Sequence, residues 1–239
     1  MPSQIIWHKL ADSINVYLHG PKDDPRQVLA GHSSHRHGGY WIQPAGHKDA
    51  RGFLEIIKPT FGPPKQGGPD FYADGIMTDD KNIDLVMTNA DCPIFVMHET
   101  TTEMTLLGHA GRAALSPSDT EENIITLAYD RLTKGMPEPK VIVYITGSIC
   151  DHCFEHDQDG AEEFIAPFRQ WYPAAVTDKE RGTLDMPKLI RWQLEELGVN
   201  PENITHDGVC TKGTDWLASH RGDPNGQRNA ICMSRAHRD

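Results

Sequence analysis

Residues 83–111 read IDLVMTNADCPIFVMHETTTEMTLLGHAG. Ile83–Asn89 and Ile94–His98 are short apolar runs of strand length, and the Asp91-Cys92-Pro93 turn separates them. Glu103–Gly108 is a third such run and leads into His109-Ala110-Gly111. The pattern predicts three buried strands. Cys92 and His109 each sit at a strand end, so two neighbouring strands can present a thiol and an imidazole to one cleft.

On the N-terminal side, Gly31 to Asp74 contains GHSSHRHGGYWIQPAGHKDARG and KPTFGPPKQGGPD. So much Gly, Pro and His breaks both helical and strand periodicity, which predicts long loops around a short strand at Phe53–Lys58. Loops of that length in a compact domain usually carry function. On the C-terminal side, Ser118-Asp119-Thr120-Glu121 has the form of a capping box. Ile124, Ile125, Ala128 and Leu132 follow at helical spacing, and Gly135 marks the stop. Lys140–Thr146 (KVIVYIT) is the most strand-like segment. Gly160–Trp171 reads as a helix bent or broken at Pro167. Asp185 caps another, with Leu189, Ile190, Leu194 and Leu197 on one face and Gly198 as the stop, and a strand follows around Ile204–Val209. Strands and helices mix without strict βαβ alternation. The expected fold is therefore α+β or mixed α/β, a single domain over residues 1–239, and not a doubly wound parallel sheet.

With 239 residues the chain can bury a sizeable core. Its 23 basic and 34 acidic residues give a net charge of −11. That balance argues against nucleic acid or an anionic membrane as partner, because either needs a basic face. A small anion needs only a few local arginines. No apolar run approaches the ~18 to 20 residues of a bilayer span, and MPSQIIWHKLADS lacks the basic start and apolar core of a secretion signal. Five cysteines are too few and too odd for a disulfide framework. Together these features predict a reduced, cytoplasmic, soluble domain; a monomer or small homo-oligomer is the expected state, which composition does not decide.

Three constellations can carry chemistry. Cys92 with His109 suits zinc, which takes thiolate and imidazole ligands and keeps an open position in catalytic centres. The same pair suits a cysteine nucleophile activated by a neighbouring histidine. The plainer alternative is a buried thiol and a satisfied core histidine. Cys150-Asp151-His152-Cys153-Phe154-Glu155-His156 has metal-ligand composition, although a lone C-x-x-C is weak, and a solvent-facing loop is its plain alternative. Arg36, Arg221 and Arg228, all in Gly- or Ser-rich loops, suit fork recognition of phosphate or carboxylate; singly, each reads as a surface residue paired with an acid. His35-x-His37 is the one such pair here, which excludes a multicopper centre on ligand count.

In order, the chain carries Arg36-His37-Gly38-Gly39, Ala73-Asp74-Gly75-Ile76-Met77-Thr78, Ala90-Asp91-Cys92-Pro93-Ile94 and His109-Ala110-Gly111-Arg112. Gly147-Ser148-Ile149 running to Cys153-Phe154-Glu155, Cys210-Thr211 and Ser219-His220-Arg221 follow. This ordered set, from about Gly31 to Ile231, resembles the YfiH family, the laccase-domain proteins that cleave purine nucleosides. The resemblance implies a single mixed α/β domain related to the catalytic fold of the cytotoxic necrotizing factor toxins. It implies zinc bound by one Cys and two His, two of which carry over to Cys92 and His109. It implies phosphorolysis of adenosine, inosine, guanosine or methylthioadenosine, with adenosine deamination as a side activity. Purine nucleoside and phosphate are then the small-molecule partners; Arg112 joins Cys92 and His109 as catalytic, and Arg36, Arg221 and Arg228 contact substrate or phosphate.

The chain departs from the family pattern in three places. The family's L-K-Q-V-H-G corresponds to Ile57-Lys58-Pro59-Thr60-Phe61-Gly62, which puts Phe61 where a metal-binding His belongs. The Trp of H-A-G-W-R-G is missing, and C-C-Y-E has become His152-Cys153-Phe154-Glu155. A substitute third ligand is sought among His35, His37, His47, His98, His152 and Cys153. Two other readings stay open: a metal-free Cys–His hydrolase or deamidase, and a non-catalytic descendant that binds a purine, a metal or a protein.

Overall fold

A computed structural model describes residues 4–21, 23–32, 39–45, 54–65, 67–116, 122–156 and 162–235. Two six-stranded sheets stack face to face. The first runs in the order β1 (Ile5–Ala11), β2 (Ile14–His19), β14 (Asn229–Arg235), β7 (Asp84–Asn89), β3 (Gly39–Gln43) and β5 (Phe71–Tyr72). The second runs β13 (Ile204–His206), β10 (Val141–Thr146), β8 (Ile94–Glu99), β9 (Met104–His109), β6 (Gly75–Thr78) and β4 (Ile56–Ile57). A small antiparallel ribbon pairs β11 (Val176–Asp178) with β12 (Thr183–Leu184). Both large sheets are mixed: β8 pairs antiparallel with β9 and β10, whereas β10 with β13 and β4 with β6 are parallel.

The period of two along each strand sorts the apolar residues into layers. Leu85 and Met87 of β7, Ile94 and Val96 of β8, and Ile231 and Met233 of β14 meet between the sheets. Their neighbours face outward: Val86, Ala230 and Cys232 meet Val28 and Leu29 of α1 (Pro25–His32). Phe95, Met97 and Leu106 face the largest cluster on the far side of the second sheet. There they meet α3 (Ile124–Thr133) and α5 (Met186–Glu196), with α2 (Arg112–Leu115) and α4 (Glu162–Trp171) completing that layer. The result is helix, sheet, sheet, helix. Ile94–Glu99 is covered on both faces and buried at every residue, its first four residues apolar and His98 and Glu99 held by hydrogen bonds at its end. Glycine at 108 is required by this packing, since a Cβ there would stand 2.3 Å from Cζ of the buried Phe95 ring.

The three strands of 83–111 form within a residue or so of the sequence expectation, and so does β10. Asp185 caps α5 as expected, accepting the Lys188 N–H at 2.9 Å. Two expectations need correction. The capping box at Ser118–Glu121 lies outside the described residues, and the cap of α3 is Asn123, whose Oδ1 accepts the N–H groups of Ile125 and Thr126. Of the two readings at Pro167, bent or broken, the break is excluded: the helix continues from Glu162 to Trp171, with Ile165 and Phe168 buried in the core. The edge strand β1, which leaves Ile5 and Trp7 exposed, had no clear sequence signal; β2 and the buried strand β14 were not anticipated either.

Glu99, buried at the end of β8, illustrates how the fold stores acid sensitivity. Burial pushes its carboxyl up, but the N–H and hydroxyl of Thr102 and the N–H groups of Lys140 and Thr101 outweigh burial and hold it at about 2. Because the folded value lies below the ordinary 4.5, the native state binds fewer protons, and Glu99 stabilises the fold above that range. Stability is expected to fall as pH drops from about 4.5 towards about 2, and Glu99→Gln should flatten that part of a denaturation-against-pH curve.

Candidate functional site

The Cys92 turn is pinned from three sides. Asp91 takes the left-handed conformation (φ 80°), which Asp tolerates better than most residues. Its backbone oxygen accepts the Ile149 N–H (2.9 Å), which ties the turn to the loop after β10. Its buried carboxylate accepts the Thr211 hydroxyl (2.6 Å) and the Arg221 backbone N–H (2.7 Å). Asn89 Nδ2, also buried, donates to the carbonyls of Cys92 (2.6 Å) and Gly147 (2.7 Å). Strands β8 and β9 pair Ile94 with His109, so the imidazole arrives beside this turn.

Cys92 and His109 come to the same place beside Gly111. A Cβ placed on Gly111 would lie 3.6 Å from Cys92 Sγ, 3.1 Å from His109 Cε1 and 3.9 Å from His109 Nδ1. Both side chains line a cavity of about 400 Å³ with Leu54, Asp74, Arg112, Phe154, His220 and Arg221. Nδ1 of His109 is buried and has no hydrogen-bond partner among the described residues. Burial first, and the Arg228 charge second, lower the His109 imidazole to about 4, so it is neutral across the physiological range. A neutral imidazole with an unshared nitrogen beside a thiol is a ligand pair for a soft divalent cation. It suits the nucleophile reading less, since an imidazolium is what holds a cysteine as thiolate.

The arginines divide. Arg221 lines the cavity, lies 4.9 Å over the Phe154 ring and donates to the Glu155 carbonyl (2.9 Å). Arg112 lines it from the first position of α2, 4.1 Å over the Phe164 ring. Arg228 is exposed and reaches the site through its charge on His109. Arg36, with His35, His37 and His47, lies outside the described residues.

Phe61 is not among the residues that line this cavity. It packs on Tyr40 and Phe71, with ring centroids 4.7 and 6.0 Å away, in the layer between the sheets. The remaining ligand candidates also resolve. His98 is buried at the far end of β8, with Nδ1 on Thr105 Oγ1 (3.0 Å), while His152 and Cys153 belong to a second cluster. In that cluster the sulfurs of Cys150, Cys153 and Cys210 lie within 4.8 Å of one another. Sequence reasoning placed Cys210 in a motif but not with the C-x-x-C pair. It also missed Asp74 and His220 as cavity residues, though both stood in quoted motifs.

This geometry defines a mixed α/β domain with a thiol–imidazole centre flanked by guanidinium groups. The family model of the multi-copper polyphenol oxidoreductase laccases matches residues 51–234, and the chain belongs to that family, the YfiH-like proteins. Over 159 residues it is 29% identical to the purine nucleoside phosphorylase Cj1217c of Campylobacter jejuni, a match covering 65% of this chain and 63% of that protein's length. The fold is shared with YlmD from Geobacillus stearothermophilus (TM-score 0.69, 18% identity, 97% of this chain and 96% of that one). It is shared equally with YfiH from Bacillus licheniformis (0.67, 16%, 95% and 98%). NMB0706 from Neisseria meningitidis has it too (0.65, 15%, 99% and 100%). No helix among the described residues is long and apolar enough to cross a membrane.

Proposed function

We propose that this chain is a zinc-dependent purine nucleoside phosphorylase, cleaving adenosine, inosine, guanosine or methylthioadenosine with phosphate and deaminating adenosine as a side reaction. The reading rests on one observation: Cys92 and His109, the latter with a buried Nδ1 that has no hydrogen-bond partner among the described residues, line the same cavity as Arg112 and Arg221. The likeness to a protein named purine nucleoside phosphorylase supports it.

Cys92 and His109 fit zinc as two of its ligands, and the bound ion supplies Lewis-acid polarisation of a reacting oxygen. Phe61 packs against Tyr40 and Phe71 and offers no donor atom, so a third ligand would have to come from another residue. In phosphorolysis the C1′–N bond to the base breaks and a phosphate oxygen bonds to C1′, giving free base and ribose-1-phosphate. Arg221 and Arg112 neutralise the phosphate and are held in place over their aromatic rings, so they need little reorganisation as charge moves. His220, exposed at the rim, is placed to hydrogen-bond the departing base.

The test is incubation with inosine or adenosine and inorganic phosphate. Free base and ribose-1-phosphate are expected only when phosphate is present; chelator should abolish them and added zinc restore them. Zinc-supplied protein that releases neither product overturns the reading. Release of base and free ribose without phosphate consumption makes the enzyme a hydrolase instead.

A further inference from the structure

The second cysteine cluster uses none of the residues assigned to the Cys92–His109 centre. Cys150 and Cys153 bracket a single 3-10 turn (Asp151–Cys153), closed by the Cys153 N–H donating to the Cys150 carbonyl at 3.1 Å. Cys210 arrives from the loop after β13, sixty residues on in sequence, because β13 lies beside β10 in the sheet. All five cysteines of the chain are unbridged. The sulfurs of Cys150, Cys153 and Cys210 lie within 4.8 Å of one another, and each is half-buried. Four sulfurs around a tetrahedral zinc at ~2.3 Å stand roughly 3.8 Å apart, so little adjustment is needed. Cys210 Sγ already accepts two backbone N–H groups, from Cys150 (3.2 Å) and Gly213 (3.3 Å). Such bonds satisfy a thiolate without competing for the face turned to the other sulfurs. His152, in the same turn, has a ring nitrogen within 4.8 Å of the Cys150 sulfur in a second group with Asp151, whose carboxylate holds its Nδ1 at 2.5 Å, so the ring must turn to join the other two sulfurs.

We propose that Cys150, Cys153 and Cys210 form a structural zinc site, with His152 as fourth ligand, that staples the loop after β10 to the loop after β13. The staple sits where both loops build the main cavity. Phe154, next to Cys153, lines that cavity under Arg221. Thr211, next to Cys210, holds the Asp91 carboxylate, one residue from Cys92. A Cys₃His set closed on all four positions has no open site for substrate, so its contribution is to folding and loop placement. The proposal stands independently of what the Cys92 cavity catalyses.

The direct test needs no variant. Full-length reduced protein, zinc-loaded or chelator-treated, is exposed to iodoacetamide, and each cysteine is followed by peptide mass. Cys150, Cys153 and Cys210 are expected to alkylate together and at least about tenfold more slowly with zinc, since a metal-bound thiolate is withheld from reaction. Equal rates in the two states at these three positions overturn the proposal. Cobalt substitution then separates the two centres. A Cys92→Ser/His109→Ala protein should still show a sulfur-to-cobalt charge-transfer band, weakened in Cys153→His, which keeps a ligand there, and lost in Cys153→Ala. No such band in the Cys92→Ser/His109→Ala protein, with its circular dichroism unchanged, assigns all thiolate-bound metal to the main cavity and refutes the site.

Discussion

Cys92→Ser and His109→Ala are each expected to lower kcat/KM for nucleoside phosphorolysis by at least ~100-fold, the scale of removing one preorganised electrostatic group. A serine hydroxyl stays protonated at neutral pH and is a poor partner for a soft cation, and alanine offers no donor atom. Neither change removes a fully buried core side chain: Cys92 and His109 are half-buried and line the cavity. Unfolding temperature should therefore move by only a few degrees. The paired measurement is steady-state phosphorolysis with zinc supplied, alongside a thermal melt. A Cys92→Ser protein with wild-type turnover excludes the cysteine from the chemistry, and with it the zinc reading.

Asp91→Ala should be the more damaging substitution for the fold, although residue 91 touches no substrate. Its carboxylate serves two partners, the Thr211 hydroxyl and the Arg221 N–H, at a residue only 3% exposed. Alanine leaves both donors buried without their acceptor, each costing ~1–3 kcal/mol. It also places an ordinary L-residue at φ 80°, about 1 kcal/mol more. A loss of about 3 kcal/mol corresponds, for a chain of this size, to roughly 6–12 °C in Tm. Because the same carboxylate sets both the Cys92 turn and the Arg221 loop, activity should fall with it. Asp91→Asn keeps one acceptor oxygen and tolerates the left-handed backbone, so it should lose less than half as much stability. A double-mutant cycle with Thr211→Val isolates the Asp91–Thr211 bond; additive losses there would show that this bond does not hold the two loops together.

Local signals carried the parts of the molecule whose physics is local. A run such as IFVMHE must be buried on both faces wherever it sits, and Asp185 must cap whatever helix follows it. The same reading put Cys92 and His109 at the ends of consecutive strands, and antiparallel pairing of β8 with β9 brings them together. The limits were equally physical. For Phe61 the motif fixed order along the chain but not surroundings: its ring packs on Tyr40 and Phe71 against the cluster between the sheets. Arg221 reaches the cavity because Asp91, far away in sequence, fixes its backbone.

The sequence by itself determined the buried strands, the helix ends and the chemical character of the Cys92–His109 pair. Only the tertiary structure decided that β13 lies beside β10, which carries Cys210 to Cys150 and Cys153, and that β14 lies between β2 and β7. The reason is that periodicity and capping record how each segment meets its immediate surroundings. Which distant segments become neighbours is set by how the finished layers bury one another, and no short stretch of chain encodes that.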